Sequence, residues 1–316
     1  MTQRRVAVTG AAGVIGREML SRLIASGAEV LSLDRKPLAP ELAAHVTHVQ
    51  VDLAEGGMDE IRAFAPTEIY HLAAAFERSV EEPDFWLPNY RDNIVVAHRL
   101  HTLLRELSSV ETYVFASSYL IYRPDLYLYD TPQETARRLK EDDPVNPRNL
   151  CGAAKFLAER EIDFLLHVDR LPLRTVSARI YRVYGRGSRC VISRWVRALL
   201  RREEIQVFNA AGRFDYVFAG DVAEGLLRLG ASPRAKGVIN LATGRSRRVA
   251  EVVEVLRRSL NADGLIRSGA DTGPFEASEA DTSRLEAATG WKPATTIEDG
   301  ISQVLDYERK RLAAAL

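Results

Sequence analysis

Short apolar runs that end at small or polar residues alternate along this chain with stretches whose apolar positions recur at helical spacing. Val6-Ala7-Val8, inside residues 4–9, stops at Gly10 and reads as a buried parallel strand. Residues 14–25 follow with Ile15, Met19, Leu20, Leu23 and Ile24 on one helical stripe, closed by Gly27. Further strands are predicted at 29–33, 47–51, 68–72, 112–116 and 175–180, with helices between them, the clearest at 90–107 and 152–167. Strand and helix in alternation build a parallel sheet with right-handed crossovers. Beyond residue 180 the pattern loosens into helices at 188–201, 221–229, 250–260 and 297–309, a strand at 238–241, and an Ala-rich end over 311–316 that reads as a fraying helix terminus. The expected fold class is α/β, a doubly wound parallel sheet with a smaller, partly interleaved C-terminal lobe. The sheet domain is expected to take residues 1–180, with 216–243 returning to it. The lobe takes 181–215 and 244–316, and no Gly/Ser-rich linker separates the two.

One loop carries specific chemistry. Thr9-Gly10-Ala11-Ala12-Gly13-Val14-Ile15-Gly16 lies between a predicted strand and a predicted helix, the context that a dinucleotide fingerprint requires. Gly10 permits the tight turn, Gly13 lets backbone approach a pyrophosphate, and Gly16 lets helix pack close to strand. The helix then presents free N–H groups and its positive end, from Val14 and Ile15 onward, to the phosphates. Asp34 ends the second strand, 18 residues after Gly16, where a carboxylate accepts hydrogen bonds from the adenosine ribose and repels a 2′-phosphate. That combination marks a Rossmann-type site and favours NAD over NADP. Arg35, next in the chain, pulls the other way, because an arginine there can hold a 2′-phosphate. Asp52-Leu53 closes the third strand, where the aspartate either meets the adenine amino group or caps a helix. After the fourth strand, Leu72, Ala73 and Ala74 are small enough to let backbone run beside the cofactor, while His71 reads as a packed core histidine.

Composition narrows the function classes. Lys plus Arg and Asp plus Glu number 43 each, so no basic field favours nucleic acid, and no basic stripe with interleaved aromatics appears. The apolar run before Gly10 is too short for a signal peptide or a membrane span. Cys151 and Cys190 form neither a Cys-x-x-Cys pair nor a disulfide framework, which points to a reducing cytoplasm. The six histidines are scattered; His98 and His101 share a helix face without a clear third ligand, so no metal is expected.

Together these residues resemble the extended short-chain dehydrogenase/reductases, specifically their NAD-dependent epimerase/dehydratase branch. The likeness runs through the three-glycine loop, His71-Leu72-Ala73-Ala74, Asn93, Ser117-Ser118 followed by Tyr122, the run Pro147 to Lys155, Arg179 with Tyr184-Gly185 and Gly187, and Gly290-Trp291-Lys292-Pro293. It implies an enzyme that oxidises a substrate hydroxyl onto NAD and, in many members, returns the hydride to give epimerisation or dehydration. It places Ser118 at the hydroxyl that positions the substrate oxygen and Lys155 at the nicotinamide ribose. It also implies a homodimer formed through helices 90–107 and 152–167.

The chain breaks the family pattern at the catalytic tyrosine: four residues before Lys155 stands Cys151. Acidity is no obstacle, since a thiol of ordinary pKa about 8.5 falls further beside a lysine and a helix N-terminus. Reach is the obstacle, because a cysteine sulfur lies much nearer its own backbone than a tyrosine oxygen does. Three readings stay open. Tyr119 serves as the acid/base, since related dehydratases put an acidic residue there, with Tyr122 and Tyr181 behind it. Or Cys151 acts on a deeper-seated ligand, or through a water. Or the redox step is lost and the protein binds NAD as a sensor or partner subunit.

The substrate lobe departs too. Arg182 stands where nucleotide-sugar enzymes of the family carry an asparagine, Phe214 where they carry an arginine before Asp215-Tyr216, and Asp271 where they carry a second arginine. Losing those cations weakens the expectation of a nucleoside diphosphate. Phe76, Glu77 and Arg78 follow the fourth strand, where the family has small polar residues. With Ser118, Arg182 and Phe214 they form the expected substrate contacts; Arg78, Arg182 and Arg186 suit a carboxylate or phosphate on a sugar-like small molecule. Residues 125–141 make a long polar segment, either a lid or a surface loop.

Overall fold

A computed structural model of the chain describes residues 4–76 and 83–314. Seven parallel strands form the central sheet. In space their order is Gly237–Leu241, Arg174–Ile180, Thr112–Ser118, Glu68–His71, Arg5–Thr9, Glu29–Asp34 and Thr47–Gln50. The chain runs outward from Arg5–Thr9 to one edge, returns at Glu68–His71, and runs to the other. The carboxyl ends of these two strands therefore flank the switch point, where open α/β sheets bind ligands. Thr9 and His71 meet there, Oγ1 to Nδ1 at 2.8 Å. His71 is fully buried and stacked on Phe115, and burial, then the Lys155 charge, holds its pKa well below the ordinary value. It is a packed core histidine.

Both sheet faces are covered, and strands such as Arg5–Thr9 and Arg174–Ile180 are buried on both. Helices Val14–Ala25 and Ala219–Ala231 pack on one face; Met58–Phe64, Val96–Leu104 and Leu150–His167 pack on the other. A separate core gathers around Val191–Leu200, Val249–Leu260 and Ile297–Ala313. Between it and the sheet lies a fourth cluster rich in tyrosine: Tyr119, Tyr122, Tyr127 and Tyr181 with Leu139 and Ala280.

Three features differ from the sequence expectation. The helix predicted over 90–107 is composite: Trp86–Asn89 is α, Tyr90–Val95 is a π-helix, and Val96–Leu104 is α again. The widened turn aims Asn93 at the backbone of Ala75, accepting from its N–H at 2.8 Å and donating to its carbonyl at 2.9 Å. Second, the 125–141 segment is stitched into the lobe: Leu128–Tyr129 pairs with Phe275–Glu276 and Arg137–Leu139 with Ser278–Ala280. Third, the last helix continues to Ala313. Two- and three-residue strands are too short to show a period of two, which is why the pattern missed them.

Candidate active site

The glycine loop has the geometry its sequence demands. Gly10 sits at φ +71°, and a Cβ on it would lie 2.6 Å from the Ala73 backbone nitrogen. Any side chain would therefore push the loop off the fourth strand. Gly13 opens the helix as an extended, exposed N-cap with no side-chain cap and no acidic residue in the first turn. The first-turn N–H groups of Val14, Ile15 and Gly16 thus lack a protein side chain to satisfy them. Asp34 accepts from the Ala12 N–H at 3.0 Å and the Lys36 N–H at 2.9 Å, which fixes its carboxylate beside the loop with lone pairs to spare. Arg35 turns away: its guanidinium pairs with Asp92 at 2.9 Å, with Asp52 at 3.9 Å. Asp52 caps its own turn through the Ala54 N–H at 3.0 Å and pairs with Arg91 at 2.8 Å; Leu53 is buried. Leu72 and Ala73 donate to the Thr9 carbonyl and hydroxyl, leaving Ala74 at the sheet edge.

The next strand, Thr112–Ser118, ends at Ser118, whose hydroxyl caps a single 3₁₀ turn by accepting from the Leu120 N–H at 3.2 Å. The Leu120 carbonyl receives the Arg148 N–H at 2.8 Å, and a Cβ on Gly152 would lie 2.7 Å from that oxygen. This close approach seats the first turn of helix Leu150–His167, capped by Asn149, against the Ser118 turn. Cys151 and Lys155, one turn apart, are both buried there. The Cys151 sulfur lies 3.9 Å from the Ala75 carbonyl, so Asn93, by holding Ala75, also shapes the thiol's surroundings. The Lys155 ammonium lies 4.6 Å from the Phe115 ring centre. Burial lowers its pKa to about 8, against a partial raise from Cys151. Beneath, Glu159 bridges Arg179 at 2.8 Å and the Ser117 hydroxyl at 2.6 Å, a buried network that braces strand and helix.

Tyr119 is engaged away from Ser118. It follows Ser118, but its hydroxyl donates to Glu276 at 2.9 Å and its ring stacks on Tyr181 at 4.7 Å, fully enclosed. Burial raises its pKa well above 10. Tyr122 is likewise committed, donating to Asn240 at 2.7 Å beneath the Arg179 guanidinium, and burial raises it and Tyr181 too. Among the other expected substrate contacts, Phe76 is exposed, and Glu77 and Arg78 lie outside the described residues. Arg186 is drawn to Glu18 on the first helix. Arg182 and Phe214 do meet, guanidinium over ring at 4.4 Å. Sequence reasoning missed their partners: Glu276, which pairs with Arg182 at 3.0 Å, and Arg148, which pairs with Glu276 at 2.6 Å. Arg148 stands inside the Pro147–Lys155 run and was open to notice; a glutamate on a two-residue strand carries no local signal.

With this geometry in hand, comparison is decisive. Residues 6–242 match the NAD dependent epimerase/dehydratase family. The chain belongs to that family. A UDP-glucose 4-epimerase of Mycolicibacterium smegmatis is 28% identical over 322 residues, covering 97% of this chain and 99% of that protein. The solved structure of MoeE5 in complex with UDP-glucose and NAD is 27% identical with a TM-score of 0.82, covering 98% of this chain and 99% of its own. The UDP-glucose 4-epimerase of Thermus thermophilus in complex with NAD gives 27% and 0.82, over 96% and 99%. This is a Rossmann-fold oxidoreductase of the extended short-chain type, and NAD is its cofactor. The cradle fits that group: a loop with no room for a Cβ at Gly10 or Gly16, an uncapped helix start, and a carboxylate beside it with the neighbouring arginine already paired.

Proposed function

We propose that the protein uses NAD to oxidise or epimerise a hydroxyl of a sugar-derived substrate, with Cys151 and Lys155 taking the place of the family's tyrosine and lysine. The substrate lies between the sheet's carboxyl edge and a lobe formed by residues 181–215 and 244–316. One observation carries the reading: a buried lysine with its pKa near 8 stands one helical turn from a buried thiol, against the Ser118 turn. Bound NAD supplies the hydride acceptor. Asp34 holds the adenosine ribose and Lys155 the nicotinamide ribose. Ser118 positions the substrate oxygen, and the Cys151 thiolate, favoured by the lysine charge, takes the hydroxyl proton directly or through one water. With Tyr119 and Tyr122 engaged elsewhere, the thiol has the stronger claim to this step. Arg182 and Phe214 meet the substrate beyond Ser118. The relatives' names point to sugar nucleotides, while Phe214 and Asp271 point to a smaller ligand.

The test is a panel of sugars, sugar acids and nucleotide sugars, read by NADH absorbance and by deuterium exchange at the substrate carbon. Cys151→Ala is expected to lower kcat by about 10²–10⁴. Full activity in Cys151→Ala with loss in Tyr119→Phe returns the proton transfer to Tyr119. Silence of the wild type across the panel, with NAD still bound, leaves a binding protein without turnover.

We further propose a homodimer. Trp86, Leu87, Tyr90, Leu157 and Phe164 are exposed on the two helical segments that pack together beside the sheet. A large apolar surface of that kind marks an interface.

A further inference from the structure

The reading of Arg182 as a substrate contact leads to a sharper one. We propose that Arg148, Arg182 and Glu276 form an anion subsite with one unspent positive charge, which takes the single carboxylate of a sugar-acid substrate, and that Glu276 sets specificity by disfavouring a diphosphate.

The cluster stands where ligands of this fold lie. Arg182 follows the carboxyl end of strand Arg174–Ile180 by two residues, and Arg148 precedes Cys151 by three, its N–H on the Leu120 carbonyl. Glu276 reaches in from the strand paired to Leu128–Tyr129. Its carboxylate is saturated. One oxygen accepts from Tyr119 at 2.9 Å and Ser278 at 2.8 Å; the other accepts from Arg148 at 2.6 Å and Arg182 at 3.0 Å. Four donors fill the acceptor sites of an ionised carboxyl, and the two cations hold its pKa down against burial.

The guanidiniums are not saturated. Each gives Glu276 one N–H of its five, and their side chains keep 29% and 36% of their exposure. The Arg182 Nε is buried without a partner, as are the hydroxyls of Tyr127 and Tyr181 beside it. The Arg182 guanidinium lies over the Phe214 ring at 4.4 Å and over the Tyr119 ring at 6.0 Å, which restrict it. A fixed, flat fork with free donors is what bidentate carboxylate binding needs. The other charged groups nearby do not change the count. Asp215, accepting from Thr243, Gly244 and Ala280, and Arg213, donating to the Gln133 carbonyl, add one charge of each sign and so cancel. Two cations against one anion leave a single positive charge, which matches one carboxylate. A diphosphate would bring its further negative charge against Glu276, itself immovable among four donors.

The experiment titrates NAD-saturated protein with D-glucose, D-glucuronate and UDP-glucose in a calorimeter. Glucuronate is expected to bind at least about tenfold more tightly than glucose. Arg182→Gln and Arg182→Lys should erase that preference at unchanged NAD affinity, the lysine because it keeps charge but loses the fork. Glu276→Gln should improve UDP-glucose relative to glucuronate about tenfold or more. Equal binding of glucose and glucuronate by the wild type overturns the proposal. So does tight UDP-glucose binding that Glu276→Gln weakens. Should Glu276→Gln fail to fold, the two Arg182 variants decide alone. Loss of NAD binding by the wild type would instead defeat the parent reading.

Discussion

Replacing Lys155 with methionine should stabilise the fold while destroying its activity. Lys155 is buried beside the Ser118 turn, with an aromatic ring and a thiol for company. Burial brings its pKa from 10.5 to about 8. At about 1.4 kcal/mol per pH unit, the folded apo-protein bears about 3 kcal/mol for keeping this lysine charged. The unfolded chain binds the proton up to pH 10.5 while the folded chain releases it near 8, so stability rises with pH across that window and the full penalty applies below it. Methionine is close to lysine in length and apolar; the exchange of shape costs under about 1.5 kcal/mol. The net gain at pH 7 is then about 2 kcal/mol, or roughly 3 °C in Tm for a chain of this size. The assay is a thermal melt of both proteins without NAD at pH 6.5, 8, 9.5 and 10.5. The advantage of Lys155→Met should be largest at the lowest pH and vanish toward the highest. NADH formation by the variant should fall about a hundredfold or more. A Tm below wild type at pH 6.5, or a difference that does not change with pH, refutes the account of this lysine as a buried charge held for function.

Other perturbations test other parts of the structure. Gly10→Ala places a methyl group 2.6 Å from the Ala73 nitrogen at a φ of +71°; it should weaken NAD binding at least about tenfold by calorimetry and lower Tm, the left-handed backbone alone costing about 1 kcal/mol. Arg179→Met strands the Glu159 carboxylate in the core with only Ser117 to meet it and should cost about 3–5 kcal/mol in urea unfolding; Arg179→Met combined with Glu159→Met should recover most of that loss. Leu157→Glu with Phe164→Glu, placing charge on the exposed helix face, should convert a dimer into a monomer by light scattering while leaving NAD affinity unchanged.

The sheet was legible because its signals are local. Most strands from Arg5–Thr9 to Arg174–Ile180 carry an apolar core with its own stop, and the three glycines of the first loop show by their spacing alone, although Gly10 answers to Ala73 on a distant segment. Cys151 was found as the residue four positions before Lys155. The partner of Tyr119 was not legible: its neighbour Ser118 argued for a site role, and its hydroxyl answers to a residue 157 positions away. The π-turn at Tyr90–Val95 was hidden for a similar reason: the helical stripe survives one extra residue, and only the amide of Asn93 reaching Ala75 shows why the turn is wide.

The sequence by itself settled the fold class, the family and the NAD cofactor, because strand–helix alternation and the spacing of three glycines are written along the chain. Only the tertiary structure decided which charges are spent. Arg35 goes to Asp92, Arg186 to Glu18, and Arg148 and Arg182 share Glu276. A side chain's partner depends on distance in space, and the chain brings Glu276 to Arg148 across 128 residues with no pattern along its length to announce it.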